Sequence, residues 1–359
     1  MKRRYRIPLI GLITLAVLLL ALHLALPWLV LNYLNDKLAD LGDYRGHVED
    51  VDLAWWRGAY RIEGLSIVKT SGKVPAPLLD APGIDLAVSW RALWYDHALV
   101  ARVVFEQPRL NFVDGGDNPD QGQTGAGTDW RKQLQDLVPI TLNEVRVENG
   151  RFAFRNFTSE PPVAVLATQV NARVTNLTNV SQGEGQGTRV AHLRGTAQVL
   201  GEAPLETSAD FDPFGDLRDF DFLLRVTDVR LPRLNDLSRA YGNFDFAGGH
   251  GDLVMEAHAR DGQLSGYIKP LFKDVDVFNW KQDMRNPDKG FFSGLWEALV
   301  GGTQTLLKNQ RQDQFATRVE LNGSVDQSEI STWQAFVAIL RNAFIKAFNP
   351  NFDSEERDQ

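Results

Sequence analysis

The unbroken apolar run from Leu9 to Leu31, preceded by Lys2, Arg3, Arg4 and Arg6 with no acid among them, constrains this chain more than any other feature. As a helix it would be roughly 34 Å long, enough to cross a hydrocarbon core of roughly 30 Å. A removable signal peptide has a shorter apolar stretch, about 7 to 15 residues, closed by a small-x-small site. The run ends instead at Pro27-Trp28-Leu29-Val30, so a retained anchor is expected over a cleaved signal. Lys2, Arg3, Arg4 and Arg6 are the topology signal: they place the N-terminus in the cytoplasm and the rest of the chain across the membrane. Val30, Tyr33, Leu34, Lys37, Leu38 and Leu41 continue a 3.6-residue rhythm as far as Gly42. Residues 1–41 therefore read as cytoplasmic stub, anchor and helical extension.

Taking the four N-terminal cations from the 38 Lys and Arg leaves 34 against 46 Asp and Glu, a formal charge of −12 beyond the span. So acidic a domain repels nucleic acid and anionic lipid surfaces, and nucleic acid is not an expected partner. With 0 cysteines there are no disulfides, thiolate metal sites or thiol nucleophiles. Stability must come from packing.

Beyond Gly42 the pattern becomes alternation. Val51, Leu53 and Trp55 are separated by single residues, as are Ile84, Leu86, Val88 and Trp90. Period two means strands with one apolar and one wetter face. Val170, Ala172 and Val174 read the same way, as do Ala191, Leu193, Ala197 and Val199, and Phe220, Phe222, Leu224 and Val226. Asn149-Gly150 and Asp261-Gly262, each between apolar pairs, are expected to be two-residue hairpin turns. About fourteen strands are expected in all.

Two stretches interrupt the strands. Residues 114–128 (DGGDNPDQGQTGAGT) and, more briefly, 181–188 (SQGEGQGT) are apolar-poor and rich in Gly. The first is the expected boundary, giving an N-terminal β subdomain (42–113), a flexible linker or loop (114–130) and a main β-sheet domain (131–325). Helical rhythm returns at Phe291, Leu295, Trp296, Leu299 and Leu306. It is stronger through Ile330, Trp333, Phe336, Val337, Leu340, Phe344 and Phe348, a C-terminal amphipathic helix (326–348) ahead of an acidic tail (349–359).

No catalytic motif emerges: there is no G-x-S-x-G elbow, Walker loop or H-E-x-x-H helix, and no cofactor is expected. His250 and His258 are near in sequence, but structural histidines are expected over metal ligands. Asp210, Asp212, Gly215 and Asp221 match positions 1, 3, 6 and 12 of a calcium loop. Phe214 fails as an oxygen donor and strand residues follow at once, so a solvated acidic turn is the expectation and no metal site is assigned. The Gly-rich segments 122–127 and 183–187 link no buried strand to a helix and read as linker, not as dinucleotide loops.

The anchor, VEDVDLAWWRGAYRIEGLSIVK (48–69), APGIDLAVSWRALWYDHALVARVVFEQPRLNFV (81–113) and VRVENGRFAF (145–154) carry a resemblance. So do RVTDVRLPRLNDLSRAYGNFDFAGG (225–249), GQLSGYIKPLFKDVDVF (262–278) and GSVDQSEISTWQAFVAILRNAFIKAF (323–348). Together these resemble the AsmA-like superfamily of bacterial inner-membrane-anchored periplasmic proteins, and within it a short branch known as a domain of unknown function. The resemblance implies a mainly β chain: an N-terminal transmembrane helix, then a large antiparallel, curved, open sheet with an apolar groove. It also implies proteins linked to phospholipid movement and envelope assembly. The long bridge-forming relatives are several times longer, so a local lipid chaperone, a homo-oligomer or an adaptor is expected here. One apolar face per strand is equally what a filled sandwich needs, so the residues alone leave groove and sandwich open.

Alternation alone names the positions that would line a groove: Val145, Val147, Phe152, Phe154, Val170, Val174, Phe220, Phe222, Leu224, Leu253 and Met255. The expected function is a non-enzymatic, single-pass inner-membrane protein that shelters phospholipid acyl chains. The alternative is a structural or regulatory envelope protein that acts through protein contacts, including factors that place outer-membrane proteins.

Overall fold

A computed structural model describes residues 6–54, 58–88, 100–116, 118–125, 128, 141–177, 190–212, 218–242, 245–278, 314–316 and 318–324. The expected C-terminal helices and tail, the segment 183–187 and Lys2, Arg3 and Arg4 lie outside the described residues. Arg6 opens helix α1, Arg6–Leu38. At 33 residues it is about 50 Å long, well beyond the roughly 30 Å of a hydrocarbon core. Its segment Ile10–Leu38 is long and apolar enough to cross a membrane.

Among the described residues fifteen strands form one curved, mostly antiparallel sheet. They are β1 (Tyr44–His47), β2 (Asp50–Ala54), β3 (Ala59–Lys69), β4 (Leu79–Val88), β5 (Val100–Glu106), β6 (Arg109–Val113), β7 (Thr141–Asn156) and β8 (Val163–Thr175). They continue with β9 (Ala191–Val199), β10 (Ala203–Phe211), β11 (Phe220–Arg230), β12 (Asp245–Arg260), β13 (Gln263–Phe278), β14 (Gln314–Ala316) and β15 (Val319–Ser324). The order is β1-β3-β4-β5-β7-β8-β9-β10-β11-β12-β13-β14, with β2 also on β3, β6 on β4 and β7, and β15 on β13. Three positions are thus shared end to end by two short strands. Fifteen strands occupy only twelve positions, roughly 53 Å at about 4.8 Å spacing.

One expectation needs correction. Asn149-Gly150 is no hairpin: β7 runs straight through it, and Asn149 takes φ 52° in a bulge where the register on β8 shifts. The bulge faces the break between β5 and β6. There Gln107 donates to the Glu148 carbonyl and Arg151 donates to the Pro108 carbonyl. A positive-φ dipeptide can serve a bulge as well as a turn. Asp261-Gly262, at φ 50° and 79°, does form the β12–β13 hairpin. The sheet is antiparallel as expected except where β5 and β6 pair in parallel with β7, because the chain crosses over between β6 and β7.

One sheet therefore spans the expected boundary at 114–130, and the described part of that segment is docked. Gln123, fully buried, donates through Nε2 to the carbonyls of Asn111 at 3.0 Å and Ala76 at 3.3 Å. The hydroxyl of buried Tyr44 accepts from the Gly125 amide at 2.9 Å. Burial pushes the Tyr44 phenol above its usual range.

The last turns of α1 pack on the first strands. Leu34, Leu38 and Leu41 join Tyr44, Val48, Val51, Ile67, Leu78 and Phe112 in one buried cluster. The Asn35 side chain locks this junction as a surrogate strand. Its Oδ1 accepts from the Val48 amide at 2.8 Å and its Nδ2 donates to the Val48 carbonyl at 3.1 Å.

Candidate functional site

Residues opposite one another on paired strands point to the same face, so the registers sort every side chain. One row crosses all twelve positions: Leu53, Tyr60, Leu86, Val103, Val145, Val174, Leu193, Ala209, Phe222, Ala257, Gly266 and Leu321. None carries a charge. The row one residue away, on the opposite face, reads Asp52, Arg61, Asp85, Val104, Arg146, Arg173, Arg194, Ser208, Leu223, Glu256, Tyr267 and Glu320. Ten of those twelve are polar. One face is apolar from edge to edge, and the other is a field of ion pairs.

All eleven lining positions named from alternation fall on the apolar face. Val147 is opposite Ala172, and Phe152 and Phe154 are opposite Ala167 and Val165. Val170 is opposite Gly150. Phe220, Leu224 and Leu253 join through β10, β11 and β12, where Met255 is opposite Leu224. The bulges at Asn149 and Gln169 reset the alternation on β7 and β8 together, which keeps both strands' apolar residues in phase. Met255 is buried at 2% exposure, and the other ten are only half-buried. All described strands belong to one sheet, so among the described residues no second sheet covers them.

The alternation missed several members of this face. Leu205, Ala209 and Phe211 on β10 lie opposite Val226, Phe222 and Phe220. Thr207 interrupts their run, which weakened the signal. Small residues recur here: Gly195 and Ala197 on β9 and Ala257 and Gly266 on β12 and β13 sit among Phe222, Leu224 and Met255.

The ends of β8 to β12 form two unlike rims. At the first, after Arg230, a 3-10 turn (Leu231–Leu234) leads into helix α2 (Asn235–Gly242). This helix lies against β8 and β12, strands separated by three others. Asn235 repeats the device of Asn35: its Nδ2 donates to the Phe246 carbonyl at 3.0 Å and its Oδ1 accepts from the Phe246 amide at 2.9 Å. The second rim holds the Asp261-Gly262 turn and the ends Phe211 and Phe220. It is polar: Arg218 donates to the Asp261 carbonyl and the Asp261 amide donates to Asp219.

On the charged face, Glu144 is the one deeply buried carboxylate of a three-arginine cluster. Arg102 and Arg146 reach it at 2.7 Å and Arg173 at 2.5 Å, tying β5, β7 and β8 together. The Arg146 guanidinium, aided by Arg102, holds Glu144 below the usual carboxylate range against the opposing effect of burial. Arg61 bridges Asp85 at 2.9 Å and Glu106 at 2.6 Å. Asp210 and Asp221, expected in a solvated turn, instead face each other directly on β10 and β11. Each carboxylate accepts from a histidine Nδ1, that of His192 at 2.6 Å and that of His258 at 2.7 Å. His258 and then Arg260 draw the Asp221 carboxyl below its usual range. Among the described residues no group of three or more His, Asp or Glu side chains is placed to hold a metal ion.

The site that the described residues form is an apolar face, partly covered, that runs into the helix able to cross a membrane. No family model matches this chain, and it has no match among curated proteins.

Proposed function

We propose that this chain is a membrane-anchored protein of the bacterial envelope that shelters phospholipid acyl chains on the apolar face of its sheet. The observation that carries this reading is the continuity of that face with α1. Leu34 and Leu38 of the helix pack with Val51, Ile67 and Phe112, the same face that farther along exposes Val145, Val174 and Phe222. The stretch of the face that α1 covers thus continues into the half-exposed stretch on which an acyl chain would lie. Burial at roughly 25 cal/mol per Å² supplies the driving force, and no catalytic group is required.

Lys2, Arg3, Arg4 and Arg6 favour a cytoplasmic N-terminus in the inner membrane, with the sheet in the periplasm. The AsmA-like resemblance points the same way. At roughly 53 Å across twelve positions, the described sheet suits a local carrier, handing lipid to a partner or to another copy.

Mass spectrometry of the full chain, purified in mild detergent, tests the proposal. Reproducible co-purified phospholipid that survives detergent exchange supports it. A lipid-free protein that binds other envelope proteins through this face would replace it with the adaptor reading.

A further inference from the structure

Beyond the span the chain is acidic, yet one patch of its charged face is crowded with arginines. Arg146 on β7, Arg173 on β8 and Arg194 on β9 lie directly opposite one another in register, one per strand. Like charges placed so repel, and at about 4.8 Å between strands the outer two backbones are only about 10 Å apart. Arg102 on β5 joins the group, since it reaches Glu144 as Arg146 and Arg173 do. The neighbouring carboxylates do not balance them. Asp85 and Glu106 are held by Arg61, Asp210 is paired with His192, and Glu206 lies opposite Arg225. Only exposed Glu148 remains, so four arginines face two carboxylates, Glu144 and Glu148.

The arginines also hold donors in reserve. All three contacts to Glu144 run through Nε. The Nη1 and Nη2 ends of those guanidiniums, which carry parallel donors suited to an oxyanion, have no partner among the described residues. Glu144 is a fixed post, with 6% of its side chain exposed, while Arg102 and Arg173 stay exposed and Arg146 half-exposed. Arg194 is exposed and makes no side-chain hydrogen bond or ion pair among the described residues. Ser208 lies opposite it and Thr196 is two residues on, so hydroxyl donors flank it. A staple across β5, β7 and β8 accounts for Arg102, Arg146 and Arg173. It does not account for a fourth arginine set in register on β9, where it adds only repulsion.

We propose that Arg146, Arg173 and Arg194 form a binding site for a terminal phosphate group, borne by a soluble phosphate or by a lipid headgroup. Such a group offers three acceptor oxygens, one for each guanidinium, where a carboxylate offers two. Its charge relieves the repulsion across β7 to β9 that Glu144 leaves uncompensated. With a screening length of about 8 Å at physiological salt, the local arginines and not the acidic total decide what binds there. The site is across the sheet from the lipid-sheltering face and stands or falls separately from it.

Isothermal titration calorimetry of the full chain in a neutral detergent tests the site with two probes, inorganic phosphate and phosphatidic acid in mixed micelles. Inorganic phosphate bound as tightly as phosphatidic acid, or more so, supports the site with a soluble source. Tighter or exclusive binding of phosphatidic acid supports it with a lipid source. Either affinity should weaken as salt rises and should fall about ten-fold in Arg194→Gln. The urea midpoint of that variant without ligand should be unchanged or raised, because a like charge has gone. No binding of either probe, or binding unchanged in the folded variant, overturns the proposal. Arg194→Lys keeps the charge and removes the fork, so it should recover only part of the affinity, and it carries the test alone if the glutamine variant does not fold. Full affinity in Arg194→Lys would reduce the patch to a general attraction for anions and overturn the site.

Discussion

The sheet beside α1 and the sheet from β7 to β11 share one alternation and one apolar face, yet their large side chains have different surroundings. Val51, Ile67, Leu78 and Phe112 are buried, because the end of α1 lies over them. Val145, Val174, Phe220, Phe222 and Leu224 are half-exposed, because nothing described lies over them. Period two decides which way a side chain points, but burial depends on whether another element arrives. The first region is a conventional core. The second leaves apolar area in contact with water, and a bound acyl chain would recover that free energy.

The contrast can be broken most severely at Leu38. Leu38→Asp should cost about 3 to 5 kcal/mol, since it buries an unpaired carboxylate between α1 and β1 to β3. Urea unfolding followed by tryptophan fluorescence should show loss of cooperativity. Asn35→Ala should cost about 1 to 2 kcal/mol, by removing both hydrogen bonds to Val48. A smaller effect, about 1 kcal/mol after allowance for its half-exposed arginine partners, is expected for Glu144→Gln. The same residue makes a pH prediction. Its folded-state pKa is depressed, so its contribution is full above the ordinary glutamate value of about 4.3 and is lost as pH falls through the lower folded value. Urea midpoints measured down through that range should fall, and Glu144→Gln should blunt the fall. Phe222→Asp should change stability least, by about 0.5 kcal/mol, because the site is half-open to water. It should still strip co-purified lipid, whereas a failure to fold would mean that this face is a closed core.

How far the sequence carried differs along the same line. The long apolar run and the strand alternation were legible because α1 and the strands bury or expose residues with a fixed local period. Every lining position named from that period lies on the one face. Local period could not tell a bulge from a turn at Asn149-Gly150, since both accept positive φ and the choice rests on the distant β5–β6 break. Nor could it reveal the parallel pairing of β6 with β7, or that Asn35 and Asn235 act as strand surrogates for Val48 and Phe246. Those are contacts between residues at least 11 apart, and an asparagine advertises none of them. Helix α2 left a faint trace, Pro232 three residues before Asn235. Its place between β8 and β12 follows only from the sheet order.

Site-specific photocrosslinking tests the central claim most directly, with benzoylphenylalanine placed in living cells at Phe222 on the apolar face or at the adjacent Leu223 on the charged face. Lipid adducts at position 222 and their absence at 223 are the result expected of a lipid-sheltering face. Protein adducts without lipid at 222, or equal lipid labelling at both positions, would contradict it.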